Sequence, residues 1–140
     1  MKKKIPIAKP FFGQEELDAV VKPLKSGWVV QGPFVQELEE KFANYTGVNF
    51  AIATSSGTSA LQVAVAAMGL QPGDEVIVPA FTWVATANIV EQLGAKTVFC
   101  DIDLNTFNLD ITQLDSLLTE RTVGVLPVHL FGLSADMGFI

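Results

Sequence analysis

At 140 residues and 15.1 kDa the chain has the length of one domain. Its balance of 49% hydrophobic to 17% charged residues excludes a disordered chain, and its length is enough to bury roughly two thirds of the unfolded surface. Four of the nine cationic residues (Lys2, Lys3, Lys4, Lys9) fall in the first nine positions, leaving five against fifteen acidic residues over 10–140, a net −10 that disfavours binding along a nucleic-acid backbone.

The opening Met1-Lys2-Lys3-Lys4 resembles the start of a signal peptide, but Ile5 to Pro10 interrupts before an apolar segment forms. With no apolar run near the ~18 residues that span a bilayer, the expectation is a solvated tail on a cytoplasmic protein without a membrane partner. A short helix is predicted over Glu15–Val21. The segment Ser26-Gly27-Trp28-Val29-Val30-Gln31-Gly32-Pro33-Phe34 then reads as an irregular aromatic loop, which either borders a pocket or staples the next helix. That helix, Phe34–Tyr45, is amphipathic: Phe34, Leu38, Phe42 and Tyr45 share a face, Glu37 and Lys41 pair on the other, and Pro33 stands in the first turn.

From residue 50 the pattern alternates. Strands are predicted at Phe50–Thr54, Glu75–Val78, Lys96–Cys100 and Thr122–Val128, with helices at Thr58–Met68, Trp83–Leu93 and Ile111–Leu118 between them. The strands are apolar on both faces and the turns carry Pro72-Gly73 and Gly94, so the repeated βαβ order predicts a mostly parallel α/β sheet with crossover helices. The organisation expected is a helical segment over 1–48 and an incomplete α/β domain over 49–140. Helix Thr58–Met68 is apolar nearly all round, as an interior helix is, so the chain alone is expected to be marginal or aggregation-prone. Ser134 reads as the N-cap of a further helix.

Three segments bear on chemistry. A predicted strand runs into Ser55-Ser56-Gly57-Thr58-Ser59 and opens an apolar helix. Unpartnered N–H groups and the helix dipole attract an anion there, Gly57 admits a phosphate to the backbone, and the Thr58 and Ser59 hydroxyls complete a cradle; simple N-capping is the alternative. The segment has neither the G-x-G-x-x-G nor the P-loop spacing. After the next strand, Phe81-Thr82-Trp83 lies at the carboxyl edge, where ligands of open α/β sheets bind. Trp83 either stacks on a flat ring there or packs into the core with Ala87 and Val90. His129 reads as structural, Cys100 as a buried thiol, and Asp101 with Asp103 as a solvated turn. One His and one distant Cys make no metal site.

Together, Ser26-Gly27-Trp28 with Gln31-Gly32-Pro33, Ser55 to Leu61, Gly73 to Pro79, Phe81 to Asn88, Asp101-Ile102-Asp103 and Val128 to Gly132 resemble, in order, the amino-terminal part of the DegT/DnrJ-type sugar aminotransferases. These are fold-type-I pyridoxal-phosphate enzymes. The resemblance implies that Gly57, Thr58 and Ser59 cradle the phosphate of pyridoxal 5'-phosphate, that Trp83 stacks on its pyridine ring, and that the Trp28 loop borders the substrate. It implies amino transfer, typically from glutamate, to a nucleotide-linked keto sugar, by a homodimer. The family's Schiff-base lysine and pyridine-nitrogen aspartate lie past the Val128–Gly132 motif, and none of the eight lysines here stands in the lysine motif. No residue of this chain is therefore expected to be catalytic, and the 140-residue chain is expected to be inactive by itself. A non-catalytic regulatory or interaction protein of the same fold, and a pyridoxal-phosphate-dependent sugar dehydratase using His in place of Lys, are the alternatives. The Gly57 turn and the Trp83 indole are expected to converge on one pocket.

Overall fold

The computed structural model describes Pro6 and residues 8–140; the Lys2–Lys4 stretch lies outside them. Two compact units meet in sequence between Ala53 and Thr54. In the first, α1 (Gln14–Ser26) is longer than its sequence pattern predicts and runs through Pro23. A proline this near the end of a helix removes one donor without breaking the last turn. The chain stops helical structure instead at Gly27, whose left-handed φ of 72° lets its N–H reach Leu24 O. At the other end the Glu16 carboxylate accepts from Gly13 N–H. Helix α2 (Pro33–Thr46) follows with proline in its first turn, as expected, and Gly47 in the left-handed conformation at its end. Its amphipathic pattern is present, yet the apolar face is open. Leu38 and Phe42 line a shallow groove of about 330 Å³ with Ala51, Ile52 and Ala53.

The strand predicted at Phe50–Thr54 does not form. A strand needs a neighbour for its ladder, and here the Ala53 N–H donates instead to the Glu39 carboxylate. Phe50 is 86% exposed, with no layer facing it.

The second unit begins with α3 (Gly57–Ala67) and continues through β1 (Glu75–Pro79), α4 (Ala85–Gln92), β2 (Lys96–Cys100), a 3₁₀ turn (Ile111–Gln113) leading into α5 (Leu114–Leu117), and β3 (Thr122–Val125). The sheet is parallel, in the order β2-β1-β3, so three of the four predicted strands form. Strand β3 is shorter than predicted; its pairing with β1 ends where Leu126 N–H donates to Ile77 O, just before Pro127, which has no donor to offer.

Central strand β1 is buried throughout because both its faces are covered. Val76 and Val78 point into one cluster with Val65 of α3 and Ile89 and Val90 of α4. Ile77 points the other way, against Cys100, Leu109 and Leu114. This alternation explains the continuous apolar run in the sequence. Burial pushes the Cys100 thiol pKa up, with the Asp110 charge adding to it, and the thiol is buried as expected. Of the apolar residues of α3 only Val65 is buried, while Val63 and the flanking Met68 are exposed. The helix predicted to open at Ser134 is absent; Ser134 Oγ donates to Ala135 O, and the residues beyond form turns.

Glu75, only 2% exposed, opens β1 at the amino edge of the sheet. Its carboxylate accepts from Thr119 Oγ1 (2.7 Å), Lys96 Nζ (2.9 Å) and Arg121 Nη2 (3.3 Å). The Thr119 hydroxyl, then Lys96 and Arg121, hold its pKa below the ordinary glutamate value. The unfolded chain therefore binds this proton more readily than the folded one. The stabilisation is complete above the usual glutamate pKa of about 4.3 and is lost as pH falls through the lowered folded value. A Glu75→Gln variant should accordingly show a lower Tm near neutrality and a flatter Tm profile below pH 5. Thermal melts across that range check this.

Candidate functional site

The carboxyl ends of the three strands lead into the loops 80–84, 101–110 and 126–133. Helices α3 and α4 run back against the strands. At the amino edge, Gly94 after α4 lies beside Pro72 in the turn between α3 and β1. The N-termini of α3 and α4 therefore point toward the carboxyl edge, where open parallel sheets take their ligands.

The Ser-rich turn caps α3. Ser56 Oγ accepts from Ser59 N–H at 3.1 Å, and Ser56 O accepts from Ala60 N–H, so the N-capping expected of this segment is present. The Gly57 and Thr58 N–H groups have no protein acceptor among the described residues. Above Gly57 a Cβ would meet nothing within 4 Å, and its backbone is not in the left-handed region. Gly57 is thus not needed by the fold, and two free donors stand at the positive end of a helix. The hydroxyls of Ser55, Ser56 and Ser59 cluster, with Ser56 and Ser59 Oγ 3.0 Å apart and Ser55 and Ser59 Oγ 3.4 Å apart. This donor set suits a phosphate or another small anion. Ser55 and Ser56 join Gly57, Thr58 and Ser59 in it. The sequence pattern singles out only Gly57, Thr58 and Ser59, although the helix boundary itself points to the Ser56 cap.

Trp83 does not pack into the core with Ala87 and Val90. Helix α4 starts only at Ala85, so Trp83 stays in the loop, where its carbonyl accepts from Thr86 N–H, and its side chain is 75% exposed. The core row is corrected to Val90, with Ala87 packed against it. The indole is left as an exposed flat surface at the same edge as the α3 N-terminus. A partly open pocket of about 350 Å³ lies elsewhere, lined by Asp103, Asn108, Asp110 and Asp136 among others. The Gly57 turn and Trp83 occupy open surface.

The Trp28 indole folds back over its own loop. Its Nε1–H donates to Gln31 O at 2.9 Å, and it lies so close to Gly32 that a Cβ there would stand 2.0 Å from Nε1. It staples the start of α2, with about half of its surface still exposed.

His129 Nδ1 accepts from Ala135 N–H at 3.0 Å. Asp103 closes the predicted turn, its carboxylate accepting from Asn105 N–H and its carbonyl from Phe107 N–H. No group of three or more metal-ligating side chains occurs among the described residues, and no described helix is long and apolar enough to cross a membrane. Lys96 opens β2 at the amino edge, its ammonium on Glu75, away from the carboxyl edge.

These features define a class: an open parallel α/β domain whose ligand edge presents a helix N-terminus lined with hydroxyls and an unburied indole. The chain belongs to the DegT/DnrJ/EryC1/StrS aminotransferase family, whose profile matches residues 10–140. It is 40% identical over 136 residues to the UDP-4-amino-4-deoxy-L-arabinose–oxoglutarate aminotransferase of Shewanella sediminis, covering 97% of this chain and 35% of that protein. Over 135 residues it is 46% identical to the GDP-perosamine synthase of Caulobacter vibrioides (96% and 36%). Among solved structures, the E. coli GDP-4-keto-6-deoxy-D-mannose-3-dehydratase with bound hydrated PLP superposes with a TM-score of 0.90 at 33% identity, covering 97% of this chain and 36% of that one. The chain spans about a third of the length of the curated relatives it matches.

Proposed function

We propose that this chain supplies the cofactor-phosphate half-site of a pyridoxal 5'-phosphate-dependent aminotransferase of nucleotide-linked keto sugars. The observation that carries the reading is the pair of N–H groups at Gly57 and Thr58, unpartnered among the described residues, at the α3 N-terminus, where the Gly57 Cβ position is open. Gly57 and Thr58 donate to the phosphate from the backbone, the Ser59 hydroxyl adds a third donor, and the helix dipole offsets the charge. Trp83 lies against the pyridine ring, fixing its plane and keeping water from one face. The Trp28 loop borders the substrate. When bound, the cofactor acts as the electron sink for amino transfer. Glutamate as donor, a homodimer and a cytoplasmic setting complete the proposal, in which none of this chain's lysines serves as the Schiff-base lysine.

A second reading, a sugar dehydratase using the same cofactor, is favoured by the close superposition on the E. coli dehydratase. Both readings share the phosphate cradle and the indole platform. A Trp28→Phe variant, in which Trp83 is the sole indole, tests that shared part. Pyridoxal 5'-phosphate should quench its emission saturably, and pyridoxal without the phosphate should bind at least about tenfold more weakly, since charge-assisted hydrogen bonds are worth more than that. Equal quenching by the two would refute the phosphate cradle. No saturable quenching by either would favour a non-catalytic interaction protein.

A further inference from the structure

Among the described residues, the two non-glycine positions with positive φ are both phenylalanines, Phe107 (60°) and Phe131 (54°). Their rings meet edge to face with centroids 6.3 Å apart, and Phe107 also lies 6.0 Å from Phe81. Each ring comes from the loop after a different strand: Phe81 after β1, Phe107 after β2, Phe131 after β3. Buried Asn108 fastens two of these loops, its Nδ2 donating to Leu133 O and its Oδ1 accepting from Leu130 N–H, both at 3.0 Å. A tight turn that needs a left-handed residue is served more cheaply by Gly or Asn. What phenylalanine adds is the ring. Burial does not account for it, since Phe131 is 78% exposed.

The row reaches the loop that carries Trp83. That loop is anchored at one end by Ala80 N–H on Cys100 O (2.8 Å) and at the other by the Trp83 carbonyl on Thr86 N–H (3.1 Å). Between these anchors, Phe81 is held by a ring from a neighbouring loop. We propose that Phe107 and Phe131 are positioning residues: the row Phe131–Phe107–Phe81 braces the 80–84 loop so that the Trp83 indole is presented in one orientation to the cofactor ring. This rests on the reading of Trp83 as the cofactor platform.

The test uses the Trp28→Phe chain, in which Trp83 is the sole indole, with Phe107→Asn or Phe107→Tyr added. Asparagine tolerates the left-handed backbone and removes the ring; tyrosine keeps it. The expected result is lower Trp83 fluorescence anisotropy in Phe107→Asn, with affinity for pyridoxal 5'-phosphate down about tenfold through lost preorganisation. Phe107→Tyr should restore both to within about twofold of the parent. Unchanged anisotropy and affinity in Phe107→Asn would overturn the proposal, whatever happens to Tm. Should Phe107→Asn fail to fold by circular dichroism, Phe131→Asn, which removes a mostly exposed ring, gives the same readout with the same two outcomes. If the parent itself binds no cofactor, the functional reading fails, and Trp83 anisotropy alone still decides whether the brace exists.

Discussion

Replacing Gly57 with valine should weaken binding of pyridoxal 5'-phosphate about a hundredfold while leaving the fold intact. The reasoning separates two roles that glycine often combines. Its backbone is outside the left-handed region and nothing lies within 4 Å of a Cβ built on it. The free chain therefore tolerates a side chain there, and stability should change by less than about 1 kcal/mol, the span of helix propensities. A phosphate approaching the Gly57 and Thr58 N–H groups would meet the valine methyls instead. Losing two charge-assisted hydrogen bonds at about 1.5 kcal/mol each corresponds to roughly a hundredfold in Kd. Thermal melts beside cofactor titrations check this. Pyridoxal, which lacks the phosphate, serves as the control and should bind parent and variant alike.

The second large effect is on stability. Ile77 is fully buried in central strand β1, against Cys100, Leu109 and Leu114, and lies on the sheet face opposite α3 and α4. Ile77→Ala should cost about 2–5 kcal/mol through lost transfer energy and a cavity that the paired strand cannot collapse. With natural stabilities of only about 5–15 kcal/mol, and with so much apolar surface of α3 left open, a loss of that size should unfold a substantial part of the population. Cys100 reports it directly. Its buried thiol should react with a thiol reagent far faster in the variant than in the parent, whereas equal rates would show that the two-faced core around β1 does not carry the fold.

The parallel core was legible because its signals are local and redundant. Val76-Ile77-Val78, Lys96–Cys100 and the Pro72-Gly73 turn each carry their own pattern; Val76, Ile77 and Val78 are buried as that pattern implies, whereas in β2 only Cys100 is buried and Phe99 is exposed. Phe50–Thr54 has a comparable apolar pattern but no ladder, because a strand exists only through its partner and the Ala53 amide finds Glu39 instead. Helix α1 overran its predicted end because one proline near a terminus is a weaker signal than the Gly27 cap that follows it. At the candidate site, the helix end at Gly57, Thr58 and Ser59 was readable. The pattern was ambiguous at Trp83, where moving the start of α4 by two residues turns a core indole into a surface one. The phenylalanine row was invisible, since left-handed phenylalanines have no sequence signature and the three rings belong to three separate loops.

One ligand touching both the α3 N-terminus and the indole is what the account requires. Titrating pyridoxal 5'-phosphate into ¹⁵N-labelled protein that carries Trp28→Phe follows both at once, by amide shifts and by Trp83 emission. The amides of Gly57 and Thr58 should move together with the quenching of Trp83, along a single saturation curve. Amide shifts confined to other residues, or curves for the amides and the indole with separate midpoints, would contradict it.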